Sequence, residues 1–275
     1  MRKTVVYLIL IIMLCSMTFT ANAAESIPFG GNISDELPAD DAGNTEKTAD
    51  LRRSGKWKGA IQDIPAGTVL DPDSVRSIGE EQFFYVEEIS DRVFARMWGK
   101  SFKEYCTVPR QDLRYIRCLH KDIDGITKVG ELVMHKAVAD VVCDIFRQLY
   151  DASFPVESMR LVDDFNASDE DSIMVNNTSA FNFRTVDDTD QISQHAYGLA
   201  IDINPYYNVY YIASQDYIFP PEGREYLDRE ADFPYKVAPG DLCYELFTQA
   251  GFEWGGWWTY NTDYQHFQYP LDITY

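Results

Sequence analysis

The stretch Ser193-Gln194-His195-Ala196-Tyr197-Gly198-Leu199-Ala200-Ile201-Asp202-Ile203-Asn204-Pro205 decides how this chain is read. Within it Leu199, Ile201 and Ile203 alternate with Ala200, Asp202 and Asn204, the pattern of a half-buried strand that turns its apolar set to a core. Asp202 is then presented on the opposite face. His195 precedes it by seven residues, an odd separation that would place the two on opposite faces of an unbroken strand, so convergence requires a bend. Gly198 is the place for one, since glycine alone turns left-handed without a steric penalty.

A second stretch, Asp263-Tyr264-Gln265-His266-Phe267, sets a carboxylate three residues before a histidine, beside the aromatic run Phe252-Glu253-Trp254-Gly255-Gly256-Trp257-Trp258. Two imidazoles and a carboxylate, His195, His266 and Asp202, make a donor set for a tetrahedral zinc ion with one position open to water or substrate. Zinc so held acts as a Lewis acid and makes water a usable nucleophile near neutral pH. Asp263 is the candidate base that takes the proton and passes it to the leaving amine. Arg184, in Phe181-Asn182-Phe183-Arg184-Thr185, can fork onto a substrate carboxylate or an oxyanion. Its bland alternative is an ion pair with the acidic loop Asp187, Asp188 and Asp190. Trp254, Trp257 and Trp258 are candidates for a groove wall or for core.

Ser-x-His-x-x-Gly-x-Ala-x-Asp at 193–202 with Asp-x-x-His at 263–266 resembles the VanY-type D-alanyl-D-alanine carboxypeptidase family of zinc peptidases. Asn177-Thr178-Ser179 through Arg184, and Trp254-Gly255-Gly256, extend the resemblance over roughly 82–269. It implies an α+β fold, a single zinc-peptidase domain of the hedgehog/DD-peptidase type with a small mixed or antiparallel sheet and flanking helices. It also implies that His195, Asp202 and His266 bind Zn2+, that Asp263 is the base, that Arg184 contacts substrate or transition state, and that Ser193 and Trp257 belong to the substrate pocket. The substrate so implied is a peptidoglycan stem peptide. Carboxypeptidase members often carry Glu at the base position, whereas L-alanyl-D-glutamate endopeptidases resemble this chain in having Asp, so both bonds stay open. The same scaffold occurs in hedgehog-type signalling proteins that hold zinc without peptidase work, which makes a non-catalytic zinc-binding module the rival. Asp263 at the working spacing favours the enzyme.

Outside these motifs the chain reads as an exported protein. Met1-Arg2-Lys3, an apolar run from Val5 to Leu14 and Ala21-Asn22-Ala23 have the form of a signal peptide over 1–23. The run is shorter than the roughly 20 apolar residues of a membrane span, so no stable membrane anchor is expected after cleavage, and the expected location is secreted or in the bacterial cell envelope. The formal charge of −20 becomes more negative when Arg2 and Lys3 leave, and so acidic a surface argues against nucleic-acid or anionic-lipid partners.

Residues 24–80 are expected to form an acidic, flexible leader, with Trp57, Ile61, Ile64, Val69 and Leu70 able to lie as an arm over the main domain, and compact structure is expected over 81–275. Helical spacing predicts helices over 87–100, 130–150 and 239–250, the last with Asp241 in its first turn and Gly251 after its end. Strands are predicted at 112–118, 156–162, 199–203 and 265–269. His135 falls on the second helix's apolar stripe and His120 in a turn, neither reading as catalytic. Asp163, Asp164, Asp169, Glu170 and Asp171 fit no calcium loop and read as a solvated acidic loop, as does Asp122-x-Asp124-Gly125. Cys106, Cys118, Cys143 and Cys243 permit one or two disulfides or, equally, buried thiols. A serine or cysteine nucleophile is not expected, because no Gly-x-Ser-x-Gly is present and the cysteines lie away from both histidine motifs.

Overall fold

The computed structural model describes residues 61–186, 189–273 and 275. The expected signal peptide and the first part of the expected leader lie outside the described residues. Elements run, in chain order, α1 (Pro72–Ile78), β1 (Tyr85–Glu88), α2 (Asp91–Met97), β2 (Leu113–Lys121), β3 (Thr127–His135), α3 (Ala139–Asp151), β4 (Ser158–Met159), α4 (Asp169–Met174), β5 (Asn177–Thr178), β6 (Ala200–Asp202), β7 (Tyr210–Ile212), β8 (Tyr217–Phe219), α5 (Leu242–Gln249), β9 (Glu253–Trp254), β10 (Thr262–Asp263) and β11 (His266–Gln268). The strands form small antiparallel sheets, β1-β2-β3, β6-β11-β9 and β10-β7-β8, with one parallel pair, β4 and β5. This is an α+β architecture, as expected. No helix among the described residues is long and apolar enough to cross a membrane.

One core joins the structural half to the half that carries the motifs. Val142, Ile145, Phe146 and Leu149 on α3 pack against Ile116, Leu132 and Met134 of the long β2-β3 hairpin. Leu199, Ile201, Phe267 and the α5 residue Phe247 belong to the same cluster, so β6 and β11 rest on a rigid floor. Rings of Phe247 and Phe267 stack with centroids 4.8 Å apart, fixing the strand that carries His266. The apolar set of β6 is fully buried while Asp202 is only half-buried, as the alternation requires.

Several sequence expectations need correction. The helix predicted over 130–150 begins only at Ala139, because Gly130 to His135 lie in β3. That strand is buried on both faces over Val129–His135, and an apolar run without alternation cannot be told from a helix by periodicity. The helix predicted over 87–100 is β1 followed by α2, which Ser90 begins by accepting a hydrogen bond from Val93 N at 3.3 Å. The third helix agrees with its prediction: Asp241 accepts from Tyr244 N at 2.7 Å and Gly251 follows the end at φ 93°. The strand predicted over 156–162 shortens to β4, after which Val162–Phe165 winds into a 3-10 turn.

The compact domain does not wait for residue 81. Ile64, Leu70 and Val75 are buried with Phe83, Leu119, Val129 and Tyr150, and Val69 bridges Lys128, so 61–80 is an arm laid over the hairpin and not a flexible leader. Apolar residues at 64, 70 and 75 outweigh the polarity around them. The four cysteines are free thiols, three of them buried.

Neither remaining histidine stands where the pattern suggested. His135 ends β3, its Nε2 3.0 Å from Tyr275 Oη. His120 is buried in β2, with Nδ1 2.7 Å from Val156 O, and burial pushes its pKa down from 6.5 to about 4. A folded-state pKa below the unfolded one means that the unfolded chain binds the extra proton first, so stability is full above about pH 6.5 and falls as pH drops toward 4, by about 3 kcal/mol. His120→Gln is expected to remove that part of the acid sensitivity, measured as a smaller difference in unfolding free energy between neutral pH and about pH 4.

Candidate metal centre and catalytic site

The pairing of β6 with β11 places Asp202 directly opposite His266, and side chains on directly opposed residues of an antiparallel pair lie on one face within contact range. Asp202 Oδ1 is 3.0 Å from His266 Nδ1. His195 arrives from the other direction, on the 3-10 turn Gln194–Tyr197 that immediately precedes β6. Gly198 closes this turn at φ 67°, and this left-handed residue provides the bend that the odd spacing demands. His195 Nε2 then lies 3.3 Å from Asp202 Oδ2 and 3.2 Å from His266 Nδ1.

Gly198 also sits where no side chain fits: an added Cβ would meet His135 N at 2.7 Å and Met134 C at 3.0 Å, both backbone atoms. Gly198→Ala is expected to destabilise the protein by about 3 kcal/mol and to weaken metal binding by displacing His195. Chemical denaturation and calorimetric metal titration check the two effects separately.

Both imidazoles have their outward nitrogen fixed. His195 Nδ1 lies 2.7 Å from Ala180 O, a group that can only accept, so this nitrogen carries the proton. His266 Nε2 lies 3.3 Å from Gln268 Oε1, whose amide nitrogen in turn donates to Glu253 at 3.4 Å. Assigned in this way, each ring turns a lone pair inward, and with Asp202 three acceptors converge with no donor among them. Burial opposes charge on Asp202, yet His195 and then His266 hold its carboxyl well below the usual range. On His195 burial likewise opposes charge, but Asp202 raises its pKa. Such a cluster can hold a cation. One ligand atom from each of the three residues falls within 4.8 Å of the others, and the donor set suits a metal with preference for nitrogen and oxygen.

Asp263 ends β10, three residues before His266. Its Oδ1 is buried without a hydrogen-bond partner. Burial pushes its pKa up to about 7, His266 opposing the rise and Asp202 adding to it. A carboxyl poised near neutrality beside a histidine ligand is the condition for general-base work. Space for it comes from Gly255, where a Cβ would meet Asp263 O at 2.7 Å and His266 Cβ at 3.3 Å. Trp258 lays its ring 5.2 Å from that of His266, and Trp257 is 62% exposed while its indole N–H donates to Tyr244 Oη at 3.1 Å. Trp254 is core.

Residues 187–269 match the model of the D-alanyl-D-alanine carboxypeptidase family. The matched stretch includes Ser193, His195, Asp202, Asp263 and His266 and leaves Arg184 three residues outside. The similarity therefore falls on the part of the chain that builds the site. No curated protein and no solved structure matches the chain.

Two predicted site residues take a form that sequence did not suggest. Ser193 is buried, and its hydroxyl accepts from His195 N at 3.2 Å, so it holds the turn that presents the ligand. Arg184 pairs through Nε with Asp169; Asp190 alone of the expected acidic partners is described. Gln268 and the Ala180 carbonyl lie outside the sequence motifs. Gln268 was reachable, since it stands two residues after His266 on the same face of β11. A backbone carbonyl from a distant loop carries no sequence signal.

Proposed function

We propose that this protein is a zinc-dependent peptidase of the bacterial cell envelope, exported by a signal peptide over 1–23, that hydrolyses peptidoglycan stem peptides as a D-alanyl-D-alanine carboxypeptidase. The observation that carries this reading is the convergence of His195 Nε2, His266 Nδ1 and Asp202 next to a buried carboxyl, Asp263, whose Oδ1 has no partner. The match of 187–269 to the carboxypeptidase family supports it. The fold assigned under this reading is that of the hedgehog/DD-peptidase type.

His195, Asp202 and His266 would hold the zinc, which when bound supplies Lewis acidity and a water that ionises near neutral pH. Asp263 accepts a proton from the attacking water through Oδ1 and returns it to the amine as the C–N bond breaks. Arg184 offers its positive charge to the substrate carboxylate or to the oxyanion that develops on the scissile carbonyl. Trp258 lies against the His266 ring, and Trp257 presents an exposed face to the peptide. Buried Ser193 acts on the backbone of His195 and so on the aim of its ring.

Asp263 itself favours a second reading, an L-alanyl-D-glutamate endopeptidase, because Asp stands where the carboxypeptidases of this kind often carry Glu. A shorter base holds the reacting water closer to the strand that bears it, which suits a different depth of substrate. A non-catalytic zinc-binding module has no use for a carboxyl kept near neutrality inside the site.

Mass analysis of a synthetic stem pentapeptide incubated with the zinc-loaded full chain decides among these. Release of the terminal D-Ala is the expected result. Cleavage between L-Ala and D-Glu would assign the endopeptidase, and an intact peptide at long incubation would overturn the enzymatic reading.

A further inference from the structure

The acidic run from Asp163 to Asp171 reads in sequence as a solvated loop, which holds for the exposed Glu170 and Asp171, while Asp163, Asp164 and Asp169 find partners. Asp163 is buried, with its two oxygens accepting from Ser101 N at 3.0 Å and Ser101 Oγ at 2.9 Å. Asp164 pairs with Arg96 at 3.0 Å. Asp169, the first residue of α4, makes its ion pair with Arg184, and by that contact the run reaches the site.

This pair is held on both sides. Asp169 Oδ1 accepts from Asn182 Nδ2 at 2.9 Å, and the same amide donates to Ala167 O at 3.3 Å. Ala167 follows Asn166 in the left-handed region, at φ 61° and 55°. For an alanine that conformation costs about 1–2 kcal/mol, so the reversal that delivers Asp169 is maintained by the contacts around it. On the other side, Asn182 N donates to His195 O at 3.2 Å, Phe183 N to Ser101 O at 2.9 Å, and Ser193 N to Arg184 O at 3.1 Å. Asn182 thus joins the backbone of a metal-ligand histidine to the side chain of Asp169.

We propose that Asp169 is a positioning residue: its carboxylate, steadied by Asn182, pairs with the Arg184 guanidinium and sets the direction in which that planar group meets the substrate. The catalytic consequence rests on the function proposed above; the clamp itself does not. An arginine side chain loses substantial rotamer freedom when it binds, and a guanidinium fixed beforehand spares the substrate that cost. Misplacement of a charged contact by about an ångström is enough to lower rate by about 100-fold.

The test uses the zinc-loaded full chain with Asp169→Asn, which keeps an acceptor, and Asp169→Ala, which keeps nothing. In 15N spectra the Arg184 Nε–Hε signal, assigned by its absence in Arg184→Lys, is expected to shift in Asp169→Ala relative to the wild type, because the carboxylate beside Nε is lost. Toward stem peptide, Asp169→Ala is expected to lower kcat/KM by about 10- to 100-fold, Asp169→Asn less, with zinc affinity unchanged. The fall lies in KM if Arg184 binds the substrate carboxylate and in kcat if it meets the oxyanion. In an Arg184→Ala background Asp169→Ala should cost nothing further. An unmoved Nε–Hε signal, or an equal loss in both backgrounds, overturns the proposal. Should the wild type cleave no stem peptide, the proposed function fails while the Nε–Hε signal still decides the clamp.

Discussion

Asp263→Ala is expected to lower kcat by about 10²- to 10⁴-fold, the range of a general base, while one equivalent of zinc still binds. Asp263 contributes no atom to the His195, Asp202 and His266 cluster, so the metal affinity and the chemistry separate at this residue. Stability should move in the opposite direction. Oδ1 is buried without a partner, and burial is what holds the carboxyl near neutrality; removing an unsatisfied buried group relieves a cost of about 1–3 kcal/mol, less the loss from the small cavity left behind. A variant that is both inactive and no less stable than the wild type, by activity assay and denaturant unfolding, is the signature of a residue kept for function. Equal loss of zinc binding and activity would instead make Asp263 part of the metal site.

His266→Ala should abolish both. This substitution deletes Nδ1, the atom 3.0 Å from Asp202 Oδ1 and 3.2 Å from His195 Nε2, and leaves two ligands where a tetrahedral zinc with an open position needs three. Calorimetric titration is expected to show one zinc per wild-type chain and none for the variant. The same contrast should appear in melting: zinc at about 100 times its dissociation constant stabilises the folded wild type by about 2.7 kcal/mol, and the variant gains nothing. Without metal the variant is expected to lose only the packing and hydrogen bonds of the buried ring.

The local geometry of this site was legible because two simple periods determine it. Alternation from Leu199 to Ile203 correctly sends Asp202 to the open face, and the parity argument correctly requires a bend at Gly198. Spacing alone could not reveal that β11 pairs with β6 in the register that opposes His266 to Asp202, since strand pairing is a long-range choice.

Errors gathered where burial removes the pattern. β3 is buried on both faces, so its pattern runs on without a break into the helix that follows it. The carboxylates of 163–171 look solvated in sequence, but Asp163, Asp164 and Asp169 find partners at Ser101, Arg96 and Arg184, up to 68 residues away in the chain. Charge runs tell how many ionic groups are present and nothing about which distant group will meet them. The arm over 61–80 was legible only in part, through its apolar residues, because its polar composition hides a few well-spaced anchors.

X-ray absorption at the zinc edge of the zinc-loaded wild-type protein tests the central claim most directly. A first shell of nitrogen and oxygen at about 2.0–2.2 Å with the outer-shell scattering of two imidazoles is expected, supplied by His195, His266 and Asp202. A sulfur shell at about 2.3 Å would place the metal on the cysteines, and a shell of oxygen alone would place it on the acidic surface; either result would contradict the assignment of the site.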